Sequence, residues 1–109
     1  MLPMKTLNWV GSSRKDLQDF PDSAQRSAGF QLRRVQDGRD PSDWKPMPTV
    51  GAGVREIRLQ EEEGIFRVLY VTNIGDVVHV LHAFQKKTEK TSKTDINLAQ
   101  RRFRDISPH

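Results

Sequence analysis

Glu56, Arg58, Arg67, His82, Lys86 and Lys87 bring a carboxylate, two guanidiniums, an imidazole and two ammonium groups into the second half of a short chain. Together they hold the functions that one kind of bond breaking demands. Cutting RNA beside a 2′-hydroxyl needs that hydroxyl deprotonated, the added negative charge of the pentacovalent phosphorane stabilised, and the leaving 5′-oxygen protonated. A carboxylate or lysine base, one or two arginines on the phosphate and a histidine or lysine acid suffice, so Glu56, Arg58, Arg67, His82 and Lys87 are the catalytic candidates. Lys86, Lys90, Lys93 and Arg55 are expected to contact the RNA around them. Neither a covalent nucleophile nor a metal is obligatory for this chemistry. The chain has no cysteine, which removes a thiol nucleophile, a disulfide framework and a thiolate metal cage. Its three histidines are dispersed: strict alternation puts His79 and His82 on opposite strand faces, and His109 is terminal. No metal and no cofactor is expected.

Each candidate also has a structural reading. Arg67 lies among Ile65, Leu69 and Val71 and either meets a phosphate or pairs with Glu56 across neighbouring strands. In such a pair Glu56 orients an arginine instead of taking a proton. Alternation gives His82 the same face as Val80 and Phe84, where it reads as a hydrogen-bonded packing residue as readily as an acid. Lys86 and Lys87, closing a strand beside a basic helix, read as phosphate contacts or as solvated lysines. Arg101, Arg102 and Arg104 read equally as a solvated helix face, and Trp9, Trp44 and Tyr70 as packing residues.

The elements that must position these groups follow from periodicity and turn chemistry. Thr6 to Val10 is extended and ends at Gly11-Ser12-Ser13, where a serine caps a short helix through Phe20. Pro21 opens a second helix, with Ala24, Ala28, Leu32 and Val35 at helical spacing, and Gly38 stops it. Arg39 to Gly53 holds three prolines and two glycines without periodicity and reads as an irregular crossover. Three strand-like runs follow, Val54 to Gln60, Ile65 to Thr72 and Val77 to Phe84, joined by Glu61–Gly64 and Asn73–Asp76 in hairpin fashion. The expected result is an antiparallel meander with the Ile65 run in the centre. Ser92-Lys93-Thr94-Asp95 is a capping box for a last helix that carries Ile96, Ala99 and Phe103 on one side.

Charge and size bound the rest. The 109 residues carry 18 Lys and Arg against 14 Asp and Glu, and the net +4 sits in the C-terminal quarter, where seven basic residues face three acidic ones. That asymmetry fits a polyanionic partner or a solvated helix face. The first residues carry no long apolar run, and apolar stretches elsewhere are strand-length, so secretion and membrane insertion are not expected. A domain this small builds one sheet with helical cover and no large catalytic cleft.

The order strand, two helices, Gly, Pro-rich crossover, then GVREIRL, GIFRVLYV, VHVLHAFQKKTEKT and the helix INLAQRRF resembles the RelE/ParE toxin superfamily of bacterial toxin–antitoxin systems, and within it the HigB-like, phage-derived branch. The likeness runs from about Thr6 to Arg104, and its most specific element is Leu81 to Thr91 followed by the helix with Ala99. It implies an α+β fold, with two N-terminal helices packed on a small antiparallel sheet (β-α-α-β-β-β) and a C-terminal helix, filling residues 1–109 as one domain. It further implies a cytoplasmic toxin that enters the ribosome, cuts mRNA during translation and is sequestered by a cognate antitoxin carrying a helix-turn-helix domain. Two other readings stay open: a ParE-like inhibitor of DNA gyrase, and a non-catalytic RNA- or protein-binding module on the same scaffold.

Overall fold

A computed structural model of the chain describes residues 4–108; His109 lies outside the described residues. The elements run β1 (Thr6–Trp9), α1 (Ser13–Gln18), α2 (Asp22–Gln36), β2 (Trp44–Pro46), β3 (Arg55–Glu61), β4 (Gly64–Val71), β5 (Val77–Lys86) and α3 (Lys93–Ile106). They form an α+β fold in which one five-stranded sheet has the order β1-β5-β4-β3-β2. The hairpins behave as their sequences require. Glu61 pairs with Gly64 across the first turn, Gly75 takes φ +69° in the second, and β4 lies between antiparallel β3 and β5.

The sheet departs from the expected meander at both edges. On one side β1 joins β5 in parallel, Asn8 opposite His79, a pairing of strands separated by α1, α2 and the antiparallel run β2–β3–β4. On the other, the crossover contributes β2, antiparallel to β3 with Lys45 opposite Glu56. Three residues ending in Pro46 are too few to show a period of two, and proline suits an edge strand. Pro21 precedes α2, whose Ala24, Ala28, Leu32 and Val35 are buried as their spacing requires. Ser92 caps α3, accepting from the Asp95 amide at 3.1 Å and donating to its carboxylate at 2.7 Å.

Both faces of the sheet are covered. Leu17, Phe20 and the α2 stripe pack on Ile57, Phe66, Val68, Tyr70, Val78 and Val80, while Ala99, Phe103 and Ile106 of α3 cover Val54, Leu69, Val71, Leu81 and Phe84. Central β4 is therefore apolar on both sides, and each fully buried large side chain in it contributes about 1.5–3 kcal/mol. Arg67 is the one charged residue in that strand. None of the described helices is long and apolar enough to cross a membrane.

A bulge corrects the face assignment of β5. Tyr70 is opposite Val80 but Leu69 is opposite His82, so Leu81 is the extra residue. Beyond it the alternation is inverted: Ala83 joins Val78 and Val80 under the N-terminal helices, and Phe84 joins Leu81 under α3. His82 thus shares a face with Phe84 and Leu69 but not with Val80, and His79 lies on that same face. The alternation rule has no way to register an inserted residue inside an otherwise regular run.

Arg102 is a second correction, being buried where a solvated face was an equal reading. Its Nη1 donates to the Leu81 carbonyl at 2.8 Å, its Nη2 donates to Ser12 Oγ at 2.7 Å, and Asp16 lies 3.5 Å away. A Cβ on Gly11 would stand 2.7 Å from Arg102 Nε, so glycine is what lets the chain pass this side chain, at φ +57°. The guanidinium satisfies the carbonyl that the bulge leaves out of the ladder. Arg102→Ala is expected to cost about 1–3 kcal/mol, since it orphans buried acceptors, and urea denaturation measures it; Arg101→Ala, on the exposed face of the same helix, should change stability by less than about 0.5 kcal/mol.

Candidate functional site

The face of the sheet under α3 is not covered to its end. Past Leu69 and Phe84, the rows of β3, β4 and β5 present Glu56, Arg58, Arg67 and Lys86, with Lys45 beside them on β2. Glu56 is 0% exposed and Arg67 5%. Neither charge is stable alone in such surroundings, and they meet diagonally across β3 and β4, Arg67 Nε to Glu56 Oε1 at 3.4 Å. Lys45 Nζ approaches the same oxygen at 3.9 Å, and Thr91 Oγ1 donates to Oε2 at 3.2 Å. Arg67 Nη1 donates to the Phe66 carbonyl at 3.0 Å, which leaves the Nη2 edge outside both contacts.

The electrostatics of the cluster are one-sided. Arg58 stands directly opposite Arg67 in the β3–β4 ladder, an arrangement of like charges that is unfavourable unless an anion relieves it. One buried carboxylate serves four cationic groups, Lys45, Arg58, Arg67 and Lys86. Burial lowers the pKa of Lys86 below the ordinary lysine value, and the positive charge of Arg67 lowers it further, with Glu56 opposing. Burial likewise lowers Arg67, with Glu56 opposing, Arg58 adding to the depression and the exposed Asp43 also opposing it. A cavity of about 230 Å³ adjoins the strand end, lined by Lys86, Lys87, Thr88, Ser92, Asp95 and Phe84. Such a surface can take up a phosphate and offer it an amine that loses its proton more readily than an ordinary lysine.

The structure thus brings Glu56, Arg58, Arg67 and Lys86 together and leaves other candidates apart. His82 lies in the same cross-strand row as Glu56 but with Leu69 between them. Its Nε2 is 2.7 Å from Asp95 Oδ1, its Nδ1 is 3.8 Å from Asp16, and its ring stacks on Phe84 at 4.8 Å. Its Nε2 contact ties β5 to α3, while Nδ1 faces Asp16 of α1 without a hydrogen bond. Lys87 follows the last residue of β5 and is exposed, as are Lys90 in the loop and Lys93 at the start of α3. Arg55 points to the opposite face from Glu56, where it lies over the Trp44 ring at 4.0 Å and pairs with Asp40 at 2.8 Å. A larger cavity of about 350 Å³ borders His82, but Asp16 and Asp19 line it, which makes it a poor phosphate site.

Two members of the cluster escape sequence reasoning. Lys45 belongs to the short edge strand, and Thr91 joins through a loop whose course depends on where α3 docks. Among the described residues no three His, Asp or Glu side chains are grouped to hold a metal ion.

A family model described as phage derived protein Gp49-like (DUF891) matches residues 15–104. The chain belongs to that family. The Gp49-like family is toxin-like and related to RelE and HigB, and an antitoxin partner is what membership in it implies in general. The matched segment of this Gp49-like chain contains every residue of the cation cluster. None of the curated proteins compared with it matches. Glu56→Gln keeps the shape of the side chain but strips the buried charge from Arg67, so the variant is expected to lose about 3 kcal/mol of stability, read from the midpoint shift in urea at unchanged slope.

Proposed function

We propose that this chain is the toxin of a type II toxin–antitoxin system, a HigB-like, ribosome-dependent endoribonuclease that stops translation by cutting mRNA. The observation that carries the reading is the Arg67 guanidinium, held in the sheet by Glu56 beside a lysine of lowered pKa, with Arg58 and Lys45 adding further positive charge. That arrangement suits a phosphate passing to a more negative transition state.

In this mechanism Lys86, as the free amine, takes the 2′-hydroxyl proton. The 2′-oxygen forms its bond to phosphorus while Arg67 and Arg58 hold the phosphorane oxygens. The bond to the 5′-oxygen breaks, and that oxygen receives a proton from Lys45 or Lys87. The products are a 2′,3′-cyclic phosphate, or the 3′-phosphate from its hydrolysis, and a 5′-hydroxyl fragment. Glu56 acts through Arg67 as a positioning residue, because its buried carboxylate is engaged by Arg67, Lys45 and Thr91. His82 is assigned a structural role in place of the acid, its Nε2 being engaged by Asp95 and its ring stacked on Phe84. The step needs no divalent metal at the cluster, where Lys45, Arg58 and Arg67 repel a cation.

Mapping the 5′ ends of cellular mRNA after brief induction is the direct test. Cuts within translated regions bearing 5′-hydroxyl ends are expected; DNA damage with intact mRNA, or 5′-phosphate ends made directly by the purified protein, overturns the reading. RNA with hydrogen in place of the 2′-hydroxyl at the cut position should resist. Arg67→Ala should lower cleavage by about 10²-fold or more, the loss of one preorganised donor, with a smaller change in ribosome binding. The pH dependence has a definite sign. Since the Lys86 amine is depressed, the rate should rise with pH and level off below the ordinary lysine value of 10.5, a limb that Lys86→Arg should abolish.

A further inference from the structure

The opposite side of the molecule carries an apolar groove that the proposed chemistry does not use. It measures about 210 Å³ and lies between β1, α1 and α2, lined by Leu7, Trp9, Leu17, Leu32, Gly29 and, at its rim, Arg14 and Gln18. Beside it on α2 stands Phe30, 63% exposed and the most exposed large apolar side chain among the described residues. β1 is the edge strand of the sheet, so the backbone along one side of the groove has no neighbouring strand.

Gly29 sits in the interior of a 15-residue helix, where glycine is the poorest helix former apart from proline. The fold does not ask for it. Its φ is not positive, and a Cβ built on it meets nothing within 4 Å. The missing side chain leaves the helix backbone open to close approach from outside. The rim is basic: Arg14 lines the groove, Arg26 and Arg33 flank Gly29 one turn to either side, all three exposed, and only Arg33 has an ion pair among the described residues, with Asp37 at 3.5 Å. An apolar floor excludes a phosphate backbone from the groove itself, whereas apolar side chains flanked by carboxylates match both floor and rim.

We propose that this groove is the docking site of the neutralising partner, which lays an acidic amphipathic segment over Gly29 and Phe30. The inference rests on the toxin reading and names the surface that reading leaves open. Because α2 covers one face of the sheet and the cation cluster lies on the other, the partner binds without occupying the phosphate site.

The probe is the purified product of each small reading frame that adjoins this chain's own, titrated calorimetrically into the wild-type protein and three variants. Gly29→Leu fills the groove and improves the helix, so its melting temperature should not fall and its growth arrest should persist, while partner binding weakens by about 100-fold. Arg14→Glu with Arg26→Glu should weaken binding and flatten its salt dependence. Lys86→Glu with Lys87→Glu, on the other face, should bind as the wild type does. Unchanged binding by Gly29→Leu, or loss confined to the Lys86 and Lys87 variant, overturns the proposal. So does self-association of the chain that Gly29→Leu abolishes, which makes a second copy the occupant. Adjacent products of which none binds the wild type or restores growth overturn the toxin reading itself, an outcome distinct from binding that ignores the groove.

Discussion

Placing a guanidinium inside the central strand of a sheet that is covered on both faces is the constraint around which the rest is arranged. Arg67 is almost wholly withdrawn from water, so a carboxylate must be buried with it, and Glu56 lies fully buried beside it. The pair then dictates its neighbours. Thr91 has to reach the second carboxylate oxygen, which pins the loop after β5, and Lys45 has to come alongside, which is the service of a three-residue strand at the sheet edge. A hydrophobic pair of equal volume would pack the same space at less cost. Stability is therefore a poor explanation of the buried charges, which agrees with the role proposed for the open end of this face.

The bulge at Leu81 has a similar reach. By inverting the alternation it turns His82 and Phe84 toward α3 and brings Lys86 to the face that bears Arg67. If all ten residues of β5 alternated without a bulge, Lys86 would share the face of Val78 and Val80, under the N-terminal helices. The inserted residue frees a carbonyl, and Arg102 of α3 takes it up while also reaching Ser12 at the start of α1. His82 adds a second link from the same bulge, to Asp95 in the α3 capping box. One irregularity in β5 thus both aims the lysine and fastens the helix that borders it.

The two faces of the sheet divide the work. The face under α1 and α2 buries aliphatic and aromatic side chains along the length of the strands, and its helices present a basic, partly apolar exterior. The face under α3 is covered only in part, because α3 ends its contact at Phe84 and leaves the cationic rows open.

Local chemistry alone determined much of this protein. The α2 stripe, the capping box of Ser92 and Asp95, and the two turns joining β3 to β4 and β4 to β5 are short-range patterns, and they placed both long helices and the antiparallel core of the sheet. The same alternation set Glu56 opposite Ile57 and Arg67 opposite Phe66, so the pairing of Glu56 with Arg67 was among the readings the residues allowed. What only the tertiary structure decided depends on register and on contacts distant in sequence. The burial of Arg102 and the place of Lys86 over Lys87 at the cluster turn on one inserted residue and on where α3 docks, and the parallel partner of β1 and the recruitment of Lys45 turn on how the two edge strands pair. A period of two cannot signal an insertion within itself, and a lysine's neighbours across a sheet are set by strands that the chain reaches only after folding.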